Sequence, residues 1–129
     1  MTRNDEEMVK KKLNLAERLN TESWTVLQEI YSEIFAAGES AIPELIEAYD
    51  KVSFWEGRKI IIYSLVLYGY THKEVYELGI RALKDKSAKV RDEANILLAR
   101  ADSKKAIDNF KAKGETCPDW GYNVKKQDQ

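Results

Sequence analysis

Few residues in this chain have side chains suited to covalent or metal chemistry. His72 is the one histidine and Cys117 the one cysteine. Zinc sites draw on clustered imidazoles and thiolates, and a cysteine nucleophile needs a base beside it. Either would have to use this same pair, which lies far apart in the sequence. His72 also falls between Thr71 and Glu74, where it reads as an exposed residue in the first turn of a helix. Gly69 and Gly79 stand alone, so no glycine-rich phosphate cradle is present. No glycosidase-like pair can be singled out among 22 acidic residues. The expectation is a protein that is not an enzyme and that uses no catalytic residue, metal or cofactor.

Charged and aromatic residues offer more. Lys and Arg total 21 against 22 Asp and Glu, a formal net charge of -1, which excludes a generically basic nucleic-acid tail and an acidic solvating protein. The charge is nevertheless polarised along the chain. Between Glu22 and Glu56 lie Glu29, Glu33, Glu39, Glu44, Glu47 and Asp50, opposed only by Lys51. Glu29 with Glu33, and Glu44 with Glu47, are spaced to share a helix face. Such a field either solubilises the surface or docks a basic protein. Trp55 is the expected anchor beside it, because tryptophan is enriched among energetically dominant interface residues. At the other pole, Lys84, Lys86 and Lys89 precede Lys104 and Lys105. If the connections that carry them line up, they form a basic stripe able to contact phosphates.

These residues must be positioned by helices. Only 2 Pro and 6 Gly occur, apolar residues recur at three- and four-residue spacing, and no strand alternation is seen. One helix is expected from about Asp5 to Leu19, capped by Asn4. A second follows Thr21 with Trp24, Leu27, Ile30, Tyr31, Ile34 and Phe35 as its stripe, ending at Gly38. A third carries Ile42, Leu45, Ile46 and Tyr49, with Pro43 tolerated in its first turn. Ser53 with Glu56 and Thr71 with Glu74 fit capping boxes and open two more. The first of these, with Ile60, Ile61, Ile62 and Leu65, is placed at the centre of the core. Ser87 opens another, and Asp102 or Ser103 a last one that Gly114 closes. Residues 115–129 are read as an irregular tail in which Trp120 and Tyr122 could anchor, leaving 1–114 as one helical domain.

The chain repeats itself at an offset of 33 residues: Ile42 falls on Val75, Arg58 on Arg91, Ile61 on Ala94 and Leu65 on Leu98. Two helices per period is the mark of a helical solenoid, in which each hairpin needs its neighbours to bury both apolar faces.

Residues 82–98, with Asp85, Val90-Arg91 and Ala94 in place, resemble a HEAT repeat, and Ala41 to Ile46 resemble the first helix of the preceding one. The resemblance covers about residues 40–112. It implies an all-α, short right-handed α-solenoid of HEAT-like hairpins, with six to seven helices, and it implies structural roles for Asp85 and Arg91. The preceding unit departs from the pattern, with Gly57 before Arg58 and Ile61 in place of the small alanine, which suggests wider helix packing there.

The functional expectation is a protein-binding module. Its most specific form, by analogy with bacterial immunity proteins, is an inhibitor that neutralises a basic, nuclease-like toxin domain through Glu29, Glu33, Glu44, Glu47, Asp50, Trp55 and Glu56. The alternatives are a HEAT-like DNA-binding or DNA-repair protein using Lys84, Lys86, Lys89, Lys104 and Lys105, a scaffold or adaptor, and a maturation factor. The lone cysteine, the charged first 20 residues and a longest nearly apolar run of 11 residues, Ile60–Tyr70, lead to the expectation of a cytoplasmic protein with no membrane span.

Overall fold

A computed structural model of the chain describes residues 13–112. The expected start of the first helix at Asn4 and Asp5, and the tail with Cys117, Trp120 and Tyr122, lie outside them. Among the described residues the protein is all-helical, with no strand. The single turn α1 (Leu15–Arg18) is followed by α2 (Trp24–Ala37), α3 (Ile42–Tyr49), α4 (Trp55–Ser64), α5 (Lys73–Ala82) and α6 (Ala88–Ala112). Short 3-10 turns over Gly38–Ala41 and Val66–Tyr68 complete the α2–α3 and α4–α5 connections.

The helices lie in two rows. In one, α1 packs on α3 and α3 on α5; in the other, α2 packs on α4 and α4 on α6, while α3 with α4 and α5 with α6 form hairpins. The 33-residue period is visible in three dimensions, since α4 begins at Trp55 and α6 at Ala88. The paired positions Ile42 and Val75, Leu45 and Leu78, Ile61 and Ala94, and Leu65 and Leu98 are all buried. Leu15, Leu19, Leu27 and Ile30 extend the same core toward the N-terminal end.

Local details differ from the sequence reading in three places. The helix starts fall where expected, but neither capping box forms: α4 is capped by Phe54 and α5 by His72, with no side-chain hydrogen bond at either start. The Ser53 carbonyl instead accepts a hydrogen bond from Arg58 at 2.7 Å, and the Thr71 hydroxyl faces His72 Nδ1 at 2.9 Å. No helix opens at Asp102 or Ser103, because α6 runs through both. Residues 99–106 contain neither Gly nor Pro, so a potential cap there has nothing to interrupt the helix, and the Asp102 carboxylate accepts from the Tyr76 hydroxyl at 2.9 Å.

Packing around Gly57 is tight rather than wide. A Cβ there would collide with the carbonyl oxygen of Leu19 and lie 2.8 Å from Val52 Cγ1. The absent side chain lets α4 approach the end of α1, which is why the valine of the repeat pattern has no room at this position.

Candidate functional site

Most residues of the expected acidic face are bonded within the protein. The Arg18 guanidinium donates to both Glu33 carboxylate oxygens, at 2.7 and 2.6 Å. Glu33 foremost, with Glu29 and Glu44 also contributing, raises the Arg18 pKa against the opposing effect of burial. The Glu44 carboxylate turns inward and accepts the Leu13 and Leu15 amides, at 2.8 and 2.9 Å. Asn14 between them has φ 59°, a left-handed conformation that asparagine tolerates better than most residues. Glu44 thus takes the place of a helix cap for α1. Asp50 accepts from Arg81 at 2.9 Å, and Glu47 lies 3.6 Å from Lys51. Glu29 is exposed.

A second polar cluster joins α3 and α4 to the α5–α6 connection. Arg58, buried in α4, donates through Nε and Nη2 to the two oxygens of Asp85, at 2.8 and 2.9 Å, and through Nη1 to the Val52 and Ser53 carbonyls. The Tyr49 hydroxyl and the Ser87 amide also donate to Asp85. Burial alone would raise the Asp85 pKa; hydrogen bonds from Arg58, Tyr49 and Ser87 override it and hold the group at about 2. Burial first, then the bond to Asp85, pushes the Tyr49 pKa up. Arg91 donates to the carbonyl of Asp85 just as Arg58 donates to that of Val52, each bond spanning six residues. This repeated geometry gives Arg58, Asp85 and Arg91 an architectural role.

The basic residues divide into two groups. Lys84, Lys86 and Lys89 sit at the α5–α6 connection and the first turn of α6. Lys104 and Lys105 lie within the same helix, roughly 22 Å further along its axis at 1.5 Å per residue, and Lys104 is 3.7 Å from Asp108. Among the described residues no group of three or more His, Cys, Asp or Glu side chains could hold a metal ion. No helix there is long and apolar enough to cross a membrane. His72 Nε2 lies 3.6 Å from a Glu39 carboxylate oxygen.

The feature that sequence reasoning missed is a groove across α2, α4 and α6. Of the broad α2 stripe, Leu27, Ile30 and Ile34 enter the core, whereas Trp24 remains 63% exposed and Phe35 75%. One length of the groove, about 620 Å³, is lined by Trp24, Tyr31, Trp55, Glu56, Lys59 and Glu93 among others. The adjoining length, about 590 Å³, is lined by Phe35, Leu67, Ile96 and Arg100, and the two share Tyr31, Tyr63 and Glu93. Tyr31 stacks at a tilt on Tyr63, with ring centroids 5.4 Å apart, and Phe35 lies 6.4 Å from Tyr31. Burial and then Tyr63 raise the Tyr31 pKa. Leu67, 66% exposed, and Trp55, 38%, stand at its margins. Of the sequence-predicted site, then, Trp55 and Glu56 belong to this groove; Glu29, Glu33, Glu44, Glu47 and Asp50 do not line it.

Compared with protein-family models, curated proteins and solved structures, the chain matches none of them.

Proposed function

We propose that this protein is a non-enzymatic protein-binding module, a short HEAT-like solenoid whose partner docks along the aromatic groove of α2, α4 and α6. One observation carries the reading. Tyr31, Tyr63, Trp24, Phe35, Leu67 and Ile96 form a continuous concave surface that leaves large apolar groups in water. Single exposed apolar residues are ordinary on a protein surface, whereas a contiguous apolar patch rimmed by polar groups marks an interaction site. Arg100, Lys59, Glu56 and Glu93 supply that polar complement. The two-row order of hairpins and the recurring Arg58 and Arg91 bonds support the solenoid form.

The specific form of this reading is an inhibitor of a basic, nuclease-like toxin domain, and the sign of the charge around Glu22–Glu56 supports it. The internal bonds of Glu33, Glu44 and Asp50 move the expected contact surface from the acidic face to the groove. The test compares tagged wild type, a Trp55→Ala/Tyr63→Ser groove variant and a Glu29→Lys/Glu47→Lys variant in pull-downs from the native lysate at moderate salt. A stoichiometric protein partner retained by the charge variant and lost by the folded groove variant is the expected result. Retention by the groove variant overturns the reading. Recovery of nucleic acid that disappears as salt rises would transfer the site to Lys84, Lys86, Lys89, Lys104 and Lys105.

A further inference from the structure

The two ends of the groove differ in chemistry. Phe35, Leu67 and Ile96 make one end largely aliphatic and aromatic, with Arg100 as its cation. The other end sets two indoles, Trp24 and Trp55, beside the Glu56 carboxylate, with Glu93 where the two lengths meet and Lys59 as the one lysine or arginine lining it. Glu93 is half-buried, and burial first, with Asp92 adding, raises its pKa against the opposing effect of Lys59. With Glu93 at the junction counted, this end faces two acidic groups and one basic group, and both carboxylates are partly out of water. Trp24 is 63% exposed and Trp55 38%, so each indole has surface that a group from outside can reach.

We propose that the Trp24–Trp55 end of the groove receives an arginine side chain of the protein partner, its guanidinium laid on an indole face and its charge met by Glu56 and Glu93. This rests on the docking reading above and names the chemistry of the partner. Three physical reasons favour arginine. A guanidinium is planar and stacks on aromatic faces, and it presents a fork of donors that fits carboxylates. It is less strongly hydrated than an ammonium group, so moving it into a partly desolvated groove costs less. The attraction between a cation and an aromatic ring is greatest for tryptophan and grows when the pair is sheltered from water. The excess negative charge at this end completes the complementarity.

The experiment follows the indole N–H signals of isotopically labelled full-length protein, assigned with Trp24→Phe and Trp55→Phe variants. They are titrated with N-acetyl-arginine methylamide and with its citrulline analogue, which has nearly the same shape and no charge. The arginine derivative is expected to shift both the Trp24 and Trp55 signals and to bind at least about fivefold more tightly than the citrulline derivative. Glu93→Gln, with an unchanged thermal melt, is expected to remove most of that preference while leaving citrulline binding as it was. Equal binding of the two compounds overturns the arginine subsite, as does arginine binding that leaves both indoles unmoved or a preference that survives Glu93→Gln together with Glu56→Gln. These outcomes are independent of the pull-down. A partner lost with Trp55→Ala/Tyr63→Ser but no preference for arginine removes the subsite and keeps the groove; a partner kept by that variant removes the docking reading itself.

Discussion

The two rows of helices use their side chains in opposite ways. In the row of α1, α3 and α5, polar groups are joined to one another or to a neighbouring element: Glu44 holds the Leu13 and Leu15 amides, Asp50 holds Arg81, and Tyr49 holds Asp85, which Arg58 reaches from α4 in the other row. In the row of α2, α4 and α6, the inward faces fill the core, while Trp24, Phe35, Tyr63 and Ile96 remain outside it. The first row explains its own residues through the fold. The second carries most of the large exposed apolar side chains, with Ile80 of α5 as a counterpart in the first, and the proposed docking surface rests on that surplus.

The comparison can be broken most severely at Asp85. Asp85→Ala leaves Arg58, buried in α4, without its carboxylate, and unfolding experiments should show a loss of about 3–5 kcal/mol. A loss below about 1 kcal/mol would mean that the cluster is not what joins α3 and α4 to the α5–α6 connection. Next comes Gly57→Ala, which drives a methyl group into the Leu19 carbonyl. It should cost about 1–3 kcal/mol, as overpacked sites do, read from the denaturant midpoint.

Acid sharpens the same contrast. Bonds from Arg58, Tyr49 and the Ser87 amide, outweighing burial, hold Asp85 at about 2 in the folded protein, below a free carboxyl group at about 4. A depressed folded value means that the ionised carboxylate stabilises the native state fully above the unfolded pKa. That contribution fades as pH falls through about 4 toward about 2. The difference in thermal midpoint between wild type and Asp85→Asn should therefore shrink across this interval. A difference constant down to pH ~2 would contradict the assignment.

The smallest effects belong to the groove. Trp55→Ala/Tyr63→Ser removes half-exposed side chains and should change stability by no more than about 1 kcal/mol, since substitutions outside the core act weakly. A larger loss would place these rings in the core's service, and the contrast between the rows would fail.

Much of the fold was legible in the sequence because it rests on local rules. The 33-residue offset placed Ile42 on Val75 and Leu65 on Leu98, and all four are buried. Helix starts were found from polar residues that bias the chain even where, as at Ser53 and Thr71, the anticipated cap bond is replaced by another. Asp102 misled because a capping residue opens a helix only where something has ended the previous one. The candidate site was harder to read. Glu33, Glu44 and Asp50 looked like a shared face, and their partners Arg18, the Leu13 and Leu15 amides, and Arg81 are distant in sequence. For the groove a signal did exist. The α2 stripe of six residues is too broad for one seam, and Trp24, Tyr31 and Phe35 fall at spacings of seven and four, a second helical line beside Leu27, Ile30 and Ile34. Which of the two lines would be covered depends on how α4 and α6 pack, which periodicity alone does not determine.

The most direct measurement of the central claim is site-specific photocrosslinking in the native cell. A benzoylphenylalanine is placed at Phe35 in the groove or at Glu47 on the opposite row, in chains shown to melt like wild type. Contact through the groove predicts a discrete protein adduct from position 35 that Trp55→Ala/Tyr63→Ser abolishes, and none from position 47. An adduct from position 47 alone would contradict it and return the interface to the acidic helices.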